Sequence, residues 1–148
     1  MIKSFLQDYD FSELMVFHQR DIIEMLLNKG VFFSILTHVD EITYEPLLPP
    51  EISDNFKPIT LFVISEYTFE SCSIDEDNLY FEAGFGHQNV GSYVTIPLNS
   101  IVQIVLEDTP IFINLSMRQK KEEKDTNIEA STNIFLSNPK NKGFVKKK

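Results

Sequence analysis

The chain is short of cysteine, tryptophan, glycine and, over most of its length, positive charge. Cys72 is its one cysteine, so an intrachain disulfide is excluded and a cysteine-built zinc site has nothing to work with. Flanked by Ser71 and Ser73 in a strand-like run, it reads as a small packing residue. No apolar run approaches the roughly 20 residues that a membrane-spanning helix needs. The start, MIKSFLQDYDF, is interrupted by acids before a signal-peptide core could form. No membrane partner and a cytoplasmic address are therefore expected.

Positive charge is scarce in one part and abundant in another. Residues 1–116 hold 4 Lys or Arg against 18 Asp or Glu, a net −14, whereas residues 117–148 hold 9 against 4, a net +5. An acidic body carries a basic tail. A body of that sign repels phosphate backbones over about a Debye length, which opposes nucleic-acid binding by the body itself.

What is present suits one compact unit. At 148 residues with 43% hydrophobic and 12% aromatic side chains, the chain can bury one sufficient core. From Asp10 to Gly30 the spacing predicts an amphipathic helix. Asp10 and Glu13 stand at capping-box separation, Leu14, Phe17, His18, Ile22, Met25 and Leu26 form an apolar stripe, and Gly30 falls where a left-handed cap belongs. From Val31 the period shifts to 2, and VFFSILTHV reads as the first strand. YEPLLPPEISDNFKP holds four of the seven prolines and reads as a long connection or irregular edge. Strands are then expected at 60–65, 68–74, 78–85, 92–97, 101–107 and 111–115. Hairpins at DEDN (75–78) and EDTP (107–110) leave no room for helical crossovers. The expected fold is mainly β with an N-terminal α-helix, a small antiparallel barrel or sandwich. From residue 117 the charged, polar pattern predicts a disordered linker ending in GFVKKK, a candidate docking tail.

Three of the five glycines fall in NLYFEAGFGHQNVGSYVTIP. GFGHQNVG has G-x-G but neither the third glycine at fingerprint spacing nor a following helix, so a nucleotide site has little support. Cys72 or a serine with His38 or His87 would be the material for a small hydrolase, since such groups assemble in space, but each histidine also reads as structural or surface. Three scattered histidines give no metal case, and Asp75 with Asp77 lacks the glycine and distal glutamate of a calcium loop. No cofactor, metal or catalytic constellation is expected. In NLYFEAGF, Leu79, Phe81, Ala83 and Phe85 share one face and Tyr80, Glu82 and Gly84 the other. A glycine within a strand marks either a bulge or the close approach of another backbone, as strand addition requires.

Taken together, four segments resemble the SspB family of adaptors for the ClpXP protease. NLYFEAGFG is similar to the family's F-x-A-R-F-G-G strand, YVTIPLNSIVQI to V-x-V-P-L-x-A-V-x-A-I, and LLNKGVFFSILTHVD to L-L-D-N-G-x-T-P-H-L-V-V-D. LFVISEYTFESCSIDEDNLYF is similar to the stretch from V-L-N-I through S-P-x-A-V-G-N-L. The resemblance covers about residues 20–106, and the tail GFVKKK is similar in kind to the family's F-R-K-K ending. It implies an Sm-like fold, a homodimer formed through the helix region, and a groove for ssrA-type degradation tags. It also implies docking of Phe144, Val145, Lys146, Lys147 and Lys148 on the ClpX unfoldase. The groove residues it implies are Glu66, Tyr67, Thr68 and Phe69 on one side and Glu82, Ala83, Gly84 and Phe85 on the other. The chain departs from the family where Gly84 replaces its arginine, His87 its second glycine and Phe33 its proline. An Sm-like fold also admits a second reading, an RNA-binding module, which the acidic body opposes.

Overall fold

In the computed structural model, residues 2–117 are described, and the expectations for the linker and for Phe144 to Lys148 lie outside them. A short helix, α1 (Ile2–Leu6), which the sequence pattern did not announce, precedes the long helix α2 (Tyr9–Lys29). Its cap is Asp8, not Asp10: the Asp8 carboxylate accepts from the amides of Asp10 and Phe11 at 2.8 and 3.2 Å. Gly30 closes the helix at φ 70°, as its position predicts.

The stripe of α2 that packs overlaps the expected one at Leu26 and Ile22 and departs from it elsewhere. Gln19, Ile23 and Leu26 are buried, whereas Leu14, Phe17 and Met25 are about half exposed. At about 100° per residue these two sets lie on opposite sides of the helix. The expected stripe omitted Gln19 because it is polar. Its amide is nevertheless accommodated in the core, where Nε2 donates to the Leu98 carbonyl at 2.6 Å.

Eight strands follow: β1 (Phe33–His38), β2 (Thr43–Glu45), β3 (Ile59–Ile64), β4 (Ser73–Ile74), β5 (Asn78–Phe85), β6 (Val90–Pro97), β7 (Ile101–Leu106) and β8 (Thr109–Ile113). One helical turn, α3 (Pro50–Ser53), lies in the proline-rich connection; another, α4 (Glu66–Glu70), lies between β3 and β4. The run 68–74, expected as one strand, therefore begins inside α4 and becomes strand only at Ser73 and Ile74. Glu66 enters the left-handed region at φ 53°, which ends the extended run after β3, and Phe69 turns inward with its ring 6.3 Å from that of Phe33.

The strands form two antiparallel sheets, β3-β1-β7-β8 and β2-β6-β5-β4, and neither closes into a barrel. Both sheets and α2 contribute to one core that includes Ile23, Ile35, Ile64, Leu79, Phe81, Val94, Ile96, Leu98, Ile101 and Ile104. The β4–β5 and β7–β8 connections are the expected hairpins.

A 3₁₀ turn, Leu98–Ser100, carries the chain from one sheet to the other and is pinned on three sides. The Leu98 amide donates to Asp77 O at 2.9 Å, Gln19 donates to Leu98 O, and the Thr37 hydroxyl of β1 donates to Ser100 O at 2.9 Å. Gln19, Thr37, Leu98 and Ser100 are all fully buried, so these bonds replace water that cannot reach them. Thr37→Val keeps the side-chain volume and removes the hydroxyl. It should lower stability by about 1–3 kcal/mol, read as a fall in the urea midpoint with the slope unchanged.

Candidate functional site

The site begins with a length mismatch between neighbouring strands. β5 pairs with β6 along its whole length, but on its other side β4 pairs only with Leu79 and Tyr80. Beyond Tyr80 that edge of β5 has no strand partner. At Glu82 a side chain takes the partner's place: the Glu82 amide donates to Ser71 Oγ at 2.8 Å. Backbone groups alternate along a strand, so the N–H and C=O of Gly84 point to the same side as those of Glu82, at the open edge.

Beside that edge lies a cavity of about 560 Å³. Ser65, Glu66, Tyr67 and Thr68 from α4 and its approach line one side. Glu82, Ala83 and Gly84 of β5 with Gly91, Ser92 and Tyr93 of β6 supply the sheet side, and Glu45, Pro46 and Asn89 complete it. Six of the eight groove residues implied by the family resemblance thus meet at one cavity. Phe69 and Phe85 do not line it. Phe69 packs toward Phe32 and Phe33, and Phe85 meets Tyr44, Phe56 and Phe62 edge-on at 5.8–6.4 Å. Phe85 faces the core because strand positions alternate, and Phe69 lies on the inner side of α4; both pack against the core.

Glycine shapes the sheet side by two different routes. Gly84 and Gly91 are register partners across β5 and β6. A Cβ on Gly84 would stand 1.8 Å from Asn89 Oδ1, so the space is filled by the chain's own side chain, folded back from the turn 86–89. The turn allows this because Gly86 and Asn89 both take positive φ, 73° and 52°. A Cβ on Gly91 would meet nothing within 4 Å. Gly91, one residue before the strand expected at 92–97, belongs to β6 and leaves the cavity open.

The polar contacts brace the walls. Tyr67 OH donates to Glu82 Oε1 at 2.7 Å across the cavity from α4 to β5, and this bond, with the carboxylate's charge, raises the Tyr67 pKa. Ser92 Oγ donates to the Pro46 carbonyl at 2.8 Å, tying β6 to the residue after β2. The Tyr93 ring stacks on Tyr80 at 6.1 Å, and Tyr80 OH donates to Asp75 Oδ2 at 2.6 Å. The other Asp75 oxygen accepts from the amides of Asp77 and Asn78, so one carboxylate holds both the hairpin tip and the tyrosine pair.

Cys72 and the two histidines that a hydrolase would draw on stand apart from this cavity, although Ser65 and Ser92 line it. None of Cys72, His38 and His87 lines it. Burial pushes the Cys72 thiol up to about 12, which keeps it protonated near neutral pH. Among the described residues no three His, Cys, Asp or Glu side chains converge as a metal site.

Sequence reasoning missed Glu45, Pro46, Ser65, Asn89, Gly91, Ser92 and Tyr93. Alternation in SYVTIP could have placed Tyr93 opposite Glu82 once the register was known. Nothing in the proline-rich run signalled that Glu45 would pair with Tyr93, as it does. No family model and no curated protein matches the chain.

Two outcomes are expected from this geometry. Gly84→Ala should cost about 1 kcal/mol by displacing the Asn89 amide, and the cost should vanish in an Asn89→Gly background, a coupling that a double-mutant cycle in urea measures. Asp75 is held below the ordinary carboxylate range, first by Tyr80 and then by the two amides. Its contribution is therefore complete above the unfolded Asp value, near 4, and is lost as pH falls through the lower folded value. Asp75→Ala should flatten that limb of the stability–pH curve.

Proposed function

We propose that the protein is a non-enzymatic adaptor whose cavity captures an extended, unstructured peptide and presents its bearer to a protease of the ClpXP type. One observation carries this reading: the open edge of β5 at Gly84 runs along a cavity of about 560 Å³. An added strand would gain backbone hydrogen bonds from the edge and side-chain contacts from the cavity, the two components of strand-addition recognition. The resemblance to SspB adaptors supports the same reading, with the two open sheets as a variant of the Sm-like fold and an ssrA-type tag as the peptide. The exposed apolar side of α2, with Leu14, Phe17 and Met25, offers a surface for a homodimer. The basic end, Phe144 to Lys148, would dock on the unfoldase, so that tethering raises the substrate's local concentration without changing the chemistry of cleavage. A cytoplasmic setting belongs to the same proposal.

Calorimetry with tag peptides tests capture. Degradation of a tagged substrate by ClpXP, with and without residues 143–148, tests delivery. Binding that disappears in Gly91→Trp, with degradation stimulated only when the tail is present, is the expected result. Equal delivery by the truncated chain would remove the docking role, and binding untouched by Gly91→Trp would remove the cavity from the account.

A further inference from the structure

The charge of the cavity indicates which peptide it takes. Glu45 from β2, Glu66 from α4 and Glu82 from β5 line it, and among the described residues no Lys, Arg or His does. The three carboxylates come from three separate elements, so their convergence on one cavity is a product of the fold and not of an acidic run in sequence. Among the described residues no ion pair neutralises any of them. The Tyr67 hydroxyl orients Glu82 and leaves its charge in place.

No three acidic or imidazole groups among the described residues come together as one metal site. Negative charges brought to a cavity by three elements match a ligand that carries more than one positive charge. The adjoining strand edge, with the Gly84 backbone directed outward, matches a ligand that has a peptide backbone.

On these grounds we infer that the groove selects an extended peptide bearing lysine or arginine, its cationic groups lying among Glu45, Glu66 and Glu82. The inference rests on the peptide-capture reading and adds the sign of the ligand. Water partly screens such pairs, so their effect is moderate singly and larger when three act together.

The test is fluorescence anisotropy on the full chain with labelled peptides of about ten residues, long enough to run along the edge and identical except for Lys, Gln or Glu at alternate positions. The lysine peptide should bind about tenfold tighter than the glutamine peptide, a difference of about 1.4 kcal/mol, and the glutamate peptide more weakly still. Added salt should compress the series. Combining Glu45→Gln, Glu66→Gln and Glu82→Gln should erase the preference at an unchanged urea midpoint, while Gly91→Trp should abolish binding of all three peptides.

Equal or tighter binding of the glutamine or glutamate peptide, still blocked by Gly91→Trp, would overturn the cationic selection and leave peptide capture standing. Failure of every peptide to bind, or binding indifferent to Gly91→Trp, would overturn capture itself. Spermidine supplies spaced charge without a backbone, and its binding as tightly as the lysine peptide would overturn the assignment to peptides. Tighter lysine-peptide binding after Lys146→Ser, Lys147→Ser and Lys148→Ser would mean that the chain's own tail competes for the carboxylates, which supports the assigned charge.

Discussion

The buried turn at Leu98–Ser100 is the constraint on which the two sheets depend. A chain that leaves one sheet for another must pass its backbone through the core, where every unpaired carbonyl is costly. Here a glutamine from α2 and a threonine from β1 reach the turn's carbonyls, and its first amide is taken by the β4–β5 hairpin. Helix, first sheet and second sheet are thereby fixed to three residues. Across the cavity, β5 is then held directly to α4 and its end by the bonds of Tyr67 and Ser71 to Glu82.

The site is a place where the fold stops short. β4 pairs with only two residues of β5, and α4 occupies the space where a longer strand would continue the sheet. What results is a strand edge bordered by a wall, with Tyr67 linked to Glu82 across the gap. Edges of this kind are liabilities unless they are short, covered or charged. This one is short and bordered by carboxylates, which discourages pairing with arbitrary apolar strands.

Much of the fold was legible in the sequence, and the failures have particular causes. Alternation located β5 to the residue, and the short connections identified the sheets as antiparallel. α4 was not legible, because TFESCSI has a strand-like composition and only the left-handed Glu66 turns the chain into a helix. The buried side of α2 was misjudged through Gln19, whose place in the core depends on a carbonyl 79 residues away. For the cavity, the segments flanking β4 and β5 were found from motif resemblance, whereas Glu45 and Asn89 enter through pairing register and turn conformation, which no local pattern encodes.

Ser71 gives the open edge a fixed phase. By occupying the Glu82 amide with a hydroxyl, it ends the sheet's continuation at a defined residue, so a strand added to β5 begins its pairing at Gly84 and at no earlier step. A strand shows alternate side chains to alternate faces. Fixing where pairing starts therefore fixes which half of an incoming sequence faces the carboxylates and which half faces water. In the proposed capture, a serine that touches no side chain of the peptide would thus set the reading frame of the groove.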